Sequence, residues 1–175
     1  MLSDHPGMWE SEEARDTVVR DAARTLAYVL RAHLPALLEP RGAGVETTFE
    51  VPDHRAIAAA RLQDRVLVSV IVIDVGRSPA PEARHFLFAR HLITPWTGDP
   101  DADAQVLARV RELFRHHETV RPEDIEGQAI PGDAKILVQS ADAYDETKQA
   151  FVWRRMGHEQ KPSLVYRTRI GKDAA

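Results

Sequence analysis

Between Ser11 and Leu38 the apolar residues Val18, Ala22, Leu26, Leu30, Leu34 and Leu37 recur every three or four positions, with Val19, Ala23 and Ala27 widening the stripe. This spacing predicts a long helix with one buried face. Ser11 suits its cap, Glu12 and Glu13 suit its positive end, and Pro35 kinks or ends it. After a turn marked by Pro40, Gly42 and Gly44, the pattern changes to period two: Val45, Thr47, Phe49 and Val51 alternate with polar neighbours as in a half-exposed strand. Residues 52 to 64 fit neither period. Arg65 to Val75 (RVLVSVIVIDV) is β-branched and apolar on both faces, which predicts a central strand.

A loop with Pro79 and Pro81 leads to HFLFARHLIT, a neighbouring strand that Pro95 ends. Asp99 and Pro100 open the next helix, in which Ala102, Val106, Val110, Leu113 and Phe114 share a face. The stretch from Val120 to Asp133, with Pro122, Gly127, Pro131 and Gly132, reads as an irregular connection. AKILVQS predicts a strand, Tyr144 to Met156 a short helix, and SLVYRTRIG a last strand in which Leu164, Tyr166 and Thr168 alternate with Val165, Arg167 and Arg169. The expected class is α+β: a mainly antiparallel sheet packed with a long N-terminal helix, a middle helix and a short C-terminal helix. We expect one domain over residues 18–172, an acidic flexible extension over 1–17 and a tail over 173–175.

Composition narrows the chemistry. The 175 residues carry a formal charge of −4, which gives no general attraction to nucleic acid. The absence of cysteine excludes disulfides, thiolate metal sites and a cysteine nucleophile, and suits synthesis in a reducing cytoplasm. The start is acidic where a signal peptide would be basic, and the longest apolar run is too short to span a bilayer, so neither secretion nor a membrane partner is expected. Charge is uneven, however: Asp4, Glu10, Glu12, Glu13 and Asp16 crowd the start, whereas the C-terminal part is basic.

The eight histidines are the obvious enzyme suspects. His85 and His91 fall on the same side of a strand, with Glu82 and Asp74 as neighbours, but a metal site needs convergent ligands and no His-Glu-x-x-His spacing occurs. His116 and His117 sit where a helix end favours capping. Ser69 lies inside an apolar strand and no Gly-x-Ser-x-Gly elbow is present. Gly42 and Gly44 continue into no phosphate loop, and Glu123, Asp124 and Glu126 lack calcium-loop spacing. No catalytic residue, cofactor or metal is therefore predicted.

Residues 153 to 172 are more suggestive, because Trp153 and Tyr166 combine with Arg154, Arg155, Lys161, Arg167, Arg169 and Lys172. Such residues anchor protein interfaces, and equally suit a core tryptophan beside a solvated basic face. Asp99, Asp101 and Asp103 form an acidic turn that offers a complementary surface.

The order of these motifs resembles the N-terminal domain of the cap, or tube-terminator, proteins of extracellular contractile injection systems, phage-tail-like particles that include the Photorhabdus virulence cassettes and antifeeding prophages. The resemblance rests on the helix and proline-ended strand from Leu26 to Pro52, the strand end Ile73 to Val75, HLITPWTGDPDADAQVLARV, the helix with Trp153, and KPSLVYRTRI, covering residues 20–172. His91 stands where the family has a tyrosine, the segment before Arg65 has no clear match, and the acidic start is an addition. The resemblance implies a structural subunit: a homohexameric ring on the distal end of the inner tube and the last sheath layer, stopping growth. Its partners would be further copies of itself, the tube protein and the sheath protein, and it would be incorporated into the particle from the cytoplasm. Two docking modes follow: the acidic N-terminal segment or acidic turn against a neighbour's basic C-terminal segment, and the last strand or tail donated as an edge strand to the sheath. Competing readings are a small hydrolase or ligand-binding protein using His85 and His91, and another tube or sheath adaptor.

Overall fold

The computed structural model describes residues 11–38, 43–77, 86–141 and 144–172. Helix α1 spans Glu12–His33; the Ser11 hydroxyl accepts from the Ala14 amide at 3.1 Å, and the acids follow in the first turn. Residues 12–17, expected in a flexible extension, are thus the opening turns of this helix. At its far end Pro35 tightens the chain into a single 3-10 turn, Leu34–Leu37.

Five strands follow, β1 (Gly44–Thr48), β2 (Arg65–Arg77), β3 (Leu87–Pro95), β4 (Lys135–Ser140) and β5 (Leu164–Gly171), in the sheet order β1-β2-β3-β5-β4. β1 runs parallel to β2, and the other pairs are antiparallel. A parallel pair cannot be joined by a hairpin and needs a crossover. The segment without a clear period supplies it as helix α2 (His54–Leu62), capped by Asp53, whose carboxylate accepts from Ala56 N at 2.8 Å. Its periodicity is faint because only Ala60 is buried, while Leu62 is 87% exposed. β2 is interior, but the centre of the sheet belongs to β3, which is flanked by β2 and β5. β1 covers β2 only from Arg65 to Ser69, so beyond Ser69 the outer edge of β2 is uncovered among the described residues, and Val72 and Val75 are exposed.

The sheet is covered on both sides. Against one face lie α1 and helix α3 (Pro100–His116), packing Leu26, Leu30, Val110 and Phe114 onto Val68, Val70, Leu87, Ile93, Ile136 and Ile170. Burying each such leucine or isoleucine contributes about 1.5–3 kcal/mol. The other face carries a smaller cluster in which Ala60 of α2 and Val152 and Trp153 of helix α4 (Glu146–Arg155) meet Leu67, Leu92, Trp96 and Val165. The expected alternation in β5 holds: Leu164, Tyr166 and Ile170 join the first layer, and Val165 joins the second.

The irregular connection after α3 is pinned to α1 by buried polar groups. Asp21 accepts from Ala129 N at 2.9 Å, and Thr25 Oγ1 accepts from Glu126 N at 3.0 Å. Between these anchors Gly127 has φ +94°, and a Cβ there would stand 2.1 Å from the Asp21 carboxyl carbon. Only glycine fits on either count.

Candidate assembly surface

The strand-to-helix corner at residues 94–103 organises the second layer. Pro95 ends β3, and Trp96 turns inward, donating its indole N–H to Ser69 Oγ at 2.9 Å and meeting Trp153 edge-on with centroids 6.0 Å apart. Ser69 is therefore a packed acceptor for an indole, with no exposure to solvent. Asp99 caps α3 by accepting from Asp101 N at 3.1 Å. Asp103 folds back and accepts from Thr97 N at 2.9 Å, Thr97 Oγ1 at 2.7 Å and Lys161 Nζ at 3.2 Å. The same ammonium lies 4.5 Å from the centroid of Trp96.

This geometry divides the residues expected at an interface. Trp153 is wholly buried, Tyr166 packs on Phe114 with centroids 4.8 Å apart, and Asp103 is 4% exposed, so these three hold the fold. The acidic turn and the basic segment do meet, but within one chain, through Lys161 and Asp103. Lys172 is exposed and pairs with Asp133, whose carboxyl is held below its usual range chiefly by the hydrogen bond from that lysine. Asp99, Asp101, Arg154 and Arg155 are exposed. β5 has β3 on one side and β4 on the other, so this strand has no free edge to donate; residues 173–175 of the tail lie outside the described residues.

Arg167 and Arg169 follow Val165 along the α2/α4 face of the sheet. Register places Asp74, Arg90, Arg167 and Gln139 in one row across β2, β3, β5 and β4. Like charges directly opposite, as at Arg90 and Arg167, repel unless each finds a separate partner. Arg90 pairs with Asp74, and Arg167 donates to Gln139 Oε1 at 2.9 Å. Their neighbours are aromatic: the Arg167 guanidinium lies 5.2 Å from the Phe88 centroid and that of Arg169 lies 3.6 Å from Phe86. Arg169 Nε is buried without a hydrogen-bond partner among the described residues. Sequence reading missed Arg90, Phe86 and Phe88, because their position beside β5 depends on strand order. Around the sheet edge Arg167 also lines a groove of about 550 Å³ with Tyr166, Arg111, Arg115 and Glu118. This face thus presents arginine donors backed by phenylalanine rings, chemistry suited to an acceptor-rich, acidic protein surface.

Of the two histidines expected to share a pocket, only His91 lies among the described residues. His91 is completely buried on the α1/α3 face, and burial lowers its pKa to about 3. His91 Nε2 and Thr168 Oγ1 are hydrogen-bonded at 2.9 Å, and His91 Nδ1 is buried without a hydrogen-bond partner among the described residues. Asp74 is engaged with Arg90, while His85 and Glu82 lie outside the described residues. His117 caps α3, its amide bonded to Leu113 O at 3.0 Å. Burial, followed by the neighbouring His33 and Arg121 charges, lowers its pKa.

The fold has counterparts among known proteins. The sheath/tube terminator of the PVC extracellular contractile injection system, in its extended state, is 19% identical and superposes with a TM-score of 0.53, covering 90% of this chain and 59% of that one. The anti-feeding prophage tube-terminating cap is 17% identical with a TM-score of 0.51, covering 90% of this chain and 54% of that one. The chain thus spans less than two thirds of either matched protein. No curated protein matches the chain. The family described as the Pvc16 N-terminal domain matches residues 21–172, which take in every strand, the three later helices and most of α1. The chain belongs to the Pvc16 N-terminal domain family.

Proposed function

We propose that this chain is a structural, non-catalytic cap subunit of a contractile injection particle. In this reading it forms a ring, homohexameric by the symmetry of such tails, on the distal end of the inner tube and sheath, and it stops their growth. The observation that carries the reading is the family match over residues 21–172, supported by likeness of fold to the two tube-terminating structures. The surface around Arg90, Arg167 and Arg169 is the docking face we assign to tube, sheath or neighbouring subunit, and exposed Arg154 and Arg155 in the last turn of α4 offer further positive charge. Exposed Asp99 and Asp101 lie at the start of α3 and offer the opposite charge to a neighbour. A closed ring multiplies modest contacts, because each engaged subunit raises the effective concentration of the next. Assembly takes place in the cytoplasm, and neither nucleic acid nor a membrane is needed.

The test is to tag the full chain in its native cell, purify gently and examine what accompanies it by electron microscopy and mass spectrometry. Tag density at one end of tailed particles, with tube and sheath subunits recovered, is the expected result. Density along the particle or at the baseplate would move the protein to an adaptor role. Normal particles of normal length in a deletion strain would overturn the cap reading.

A further inference from the structure

Three side chains that the assembly reading leaves unused converge where the ends of α1 and α3 meet the connection to β4. His33 stands in the last turn of α1, His117 caps the end of α3, and Asp124 closes the 3-10 turn Pro122–Asp124. One ligand atom from each lies within 4.8 Å of the others. His33 Nε2 is 3.4 Å from Asp124 Oδ2, and the two imidazole rings stack with centroids 4.5 Å apart. Ligand atoms about 2.0–2.1 Å from a tetrahedral zinc ion are separated by about 3.3 Å from each other. The carboxylate–imidazole edge is already at that spacing. Two imidazoles on one such ion place their centroids roughly 5 Å apart with both lone pairs aimed at the metal, so the centroid spacing already fits while the stacked rings must turn out of their stack on binding.

From these distances we propose that His33, His117 and Asp124 form a site for a divalent transition-metal ion of the zinc class, with the fourth position open to water. Three features favour a cation there. The site lies at the ends of α1 and α3, where exposed carbonyls concentrate negative potential. Asp124 is 4% exposed, so its charge is poorly hydrated and seeks a counterion. The donor set, two imidazoles and a carboxylate, matches three-ligand zinc sites with an open position.

Arg121 now fills the counterion role, its Nε 3.2 Å from Asp124 Oδ2 and a terminal nitrogen 3.4 Å from His33 Nε2. It is the competitor that a metal must displace. The Arg121 side chain is 52% exposed and Glu123 stands 3.5 Å away, so a displaced guanidinium keeps both water and a carboxylate partner. A bound ion would then tie two helix ends to the connection between α3 and β4, using contacts far apart in sequence.

The experiment uses the full untagged chain, stripped with chelator and titrated with Co²⁺, reading d–d absorption and then displacement by Zn²⁺. One equivalent of Co²⁺ should bind, with absorption typical of four-coordination. His33→Ala and His117→Ala, each checked for native circular dichroism, should weaken binding by about a hundredfold or more, beyond the loss typical of an outer-shell change. Arg121→Gln should tighten it, and Zn²⁺ should raise the melting temperature of wild type but not of His33→Ala. Absence of stoichiometric binding in both wild type and Arg121→Gln would overturn the site. Binding that survives both histidine substitutions would assign the metal to other surface imidazoles and overturn it equally.

Discussion

The two faces of the sheet solve different problems. Under α1 and α3 the layer is closed: apolar side chains fill it, and the imidazole of His91 is sealed in with no exposure. Under α2 and α4 the layer is only half closed: the Trp96–Trp153 cluster fills the lower part, and above it arginines lie on phenylalanines. The contrast separates what makes the domain fold from what it offers to others. An arginine stacked on an aromatic ring is held in place yet keeps donors free, which suits a surface that must be rigid before its partner arrives.

The comparison breaks first at Trp153. If the lower part of the second face is a true core, Trp153→Ala lowers the unfolding free energy by about 3–5 kcal/mol in equilibrium denaturation of the isolated chain. A loss below about 1 kcal/mol would make it a surface anchor instead. Next comes Asp103, whose three donors belong to its own chain. Asp103→Ala should cost about 2–3 kcal/mol of stability without any partner present.

The closed face is tested by acid. The folded-state pKa of His91, about 3, lies below the ordinary histidine value of 6.5, so the unfolded chain takes up a proton first as pH falls. The contribution is intact above about pH 6.5 and is lost toward pH 3 at about 1.4 kcal/mol per unit, roughly 2 kcal/mol by pH 5. Comparing His91→Leu with wild type across that range should remove this slope; an unchanged slope would mean that the imidazole is hydrated. The smallest effect on stability belongs to the open face. Arg167→Gln with Arg169→Gln should cost only about 1 kcal/mol, from two lost cation–π contacts. The same pair should sharply reduce incorporation into particles, measured by counting tagged ends. Full incorporation would move the docking surface elsewhere.

Much of this architecture was legible because burial leaves a period. The stripe of α1, the Asp99-Pro100 opening of α3 and the alternation of β5 each follow from one-sided packing, and the stop at Pro35 from a missing amide. α2 was not legible, since a helix that buries only Ala60 leaves no stripe to read. Its necessity lies in the parallel β1–β2 pair, which is a property of topology. For the same reason Arg167 and Arg169 stood out in sequence while Arg90 did not: their row is assembled by register across four strands. His33, His117 and Asp124 are farther apart still, joined only by the way two helix ends converge.

The shortness of β1 has a consequence for how such a protein avoids its own aggregation. Beyond Ser69 the outer edge of β2 has no strand beside it among the described residues, and Val72 and Val75 are exposed along it. A flat apolar edge of this kind is a template on which further strands add without limit. Here the register shifts between Val72 and Asp74, so the strand bulges and twists midway along the open stretch, and a charged pair follows at once with Arg90. An incoming strand would lose its ladder at the bulge. For a subunit proposed to end a polymer, that interruption keeps the terminator from seeding a fibre of its own.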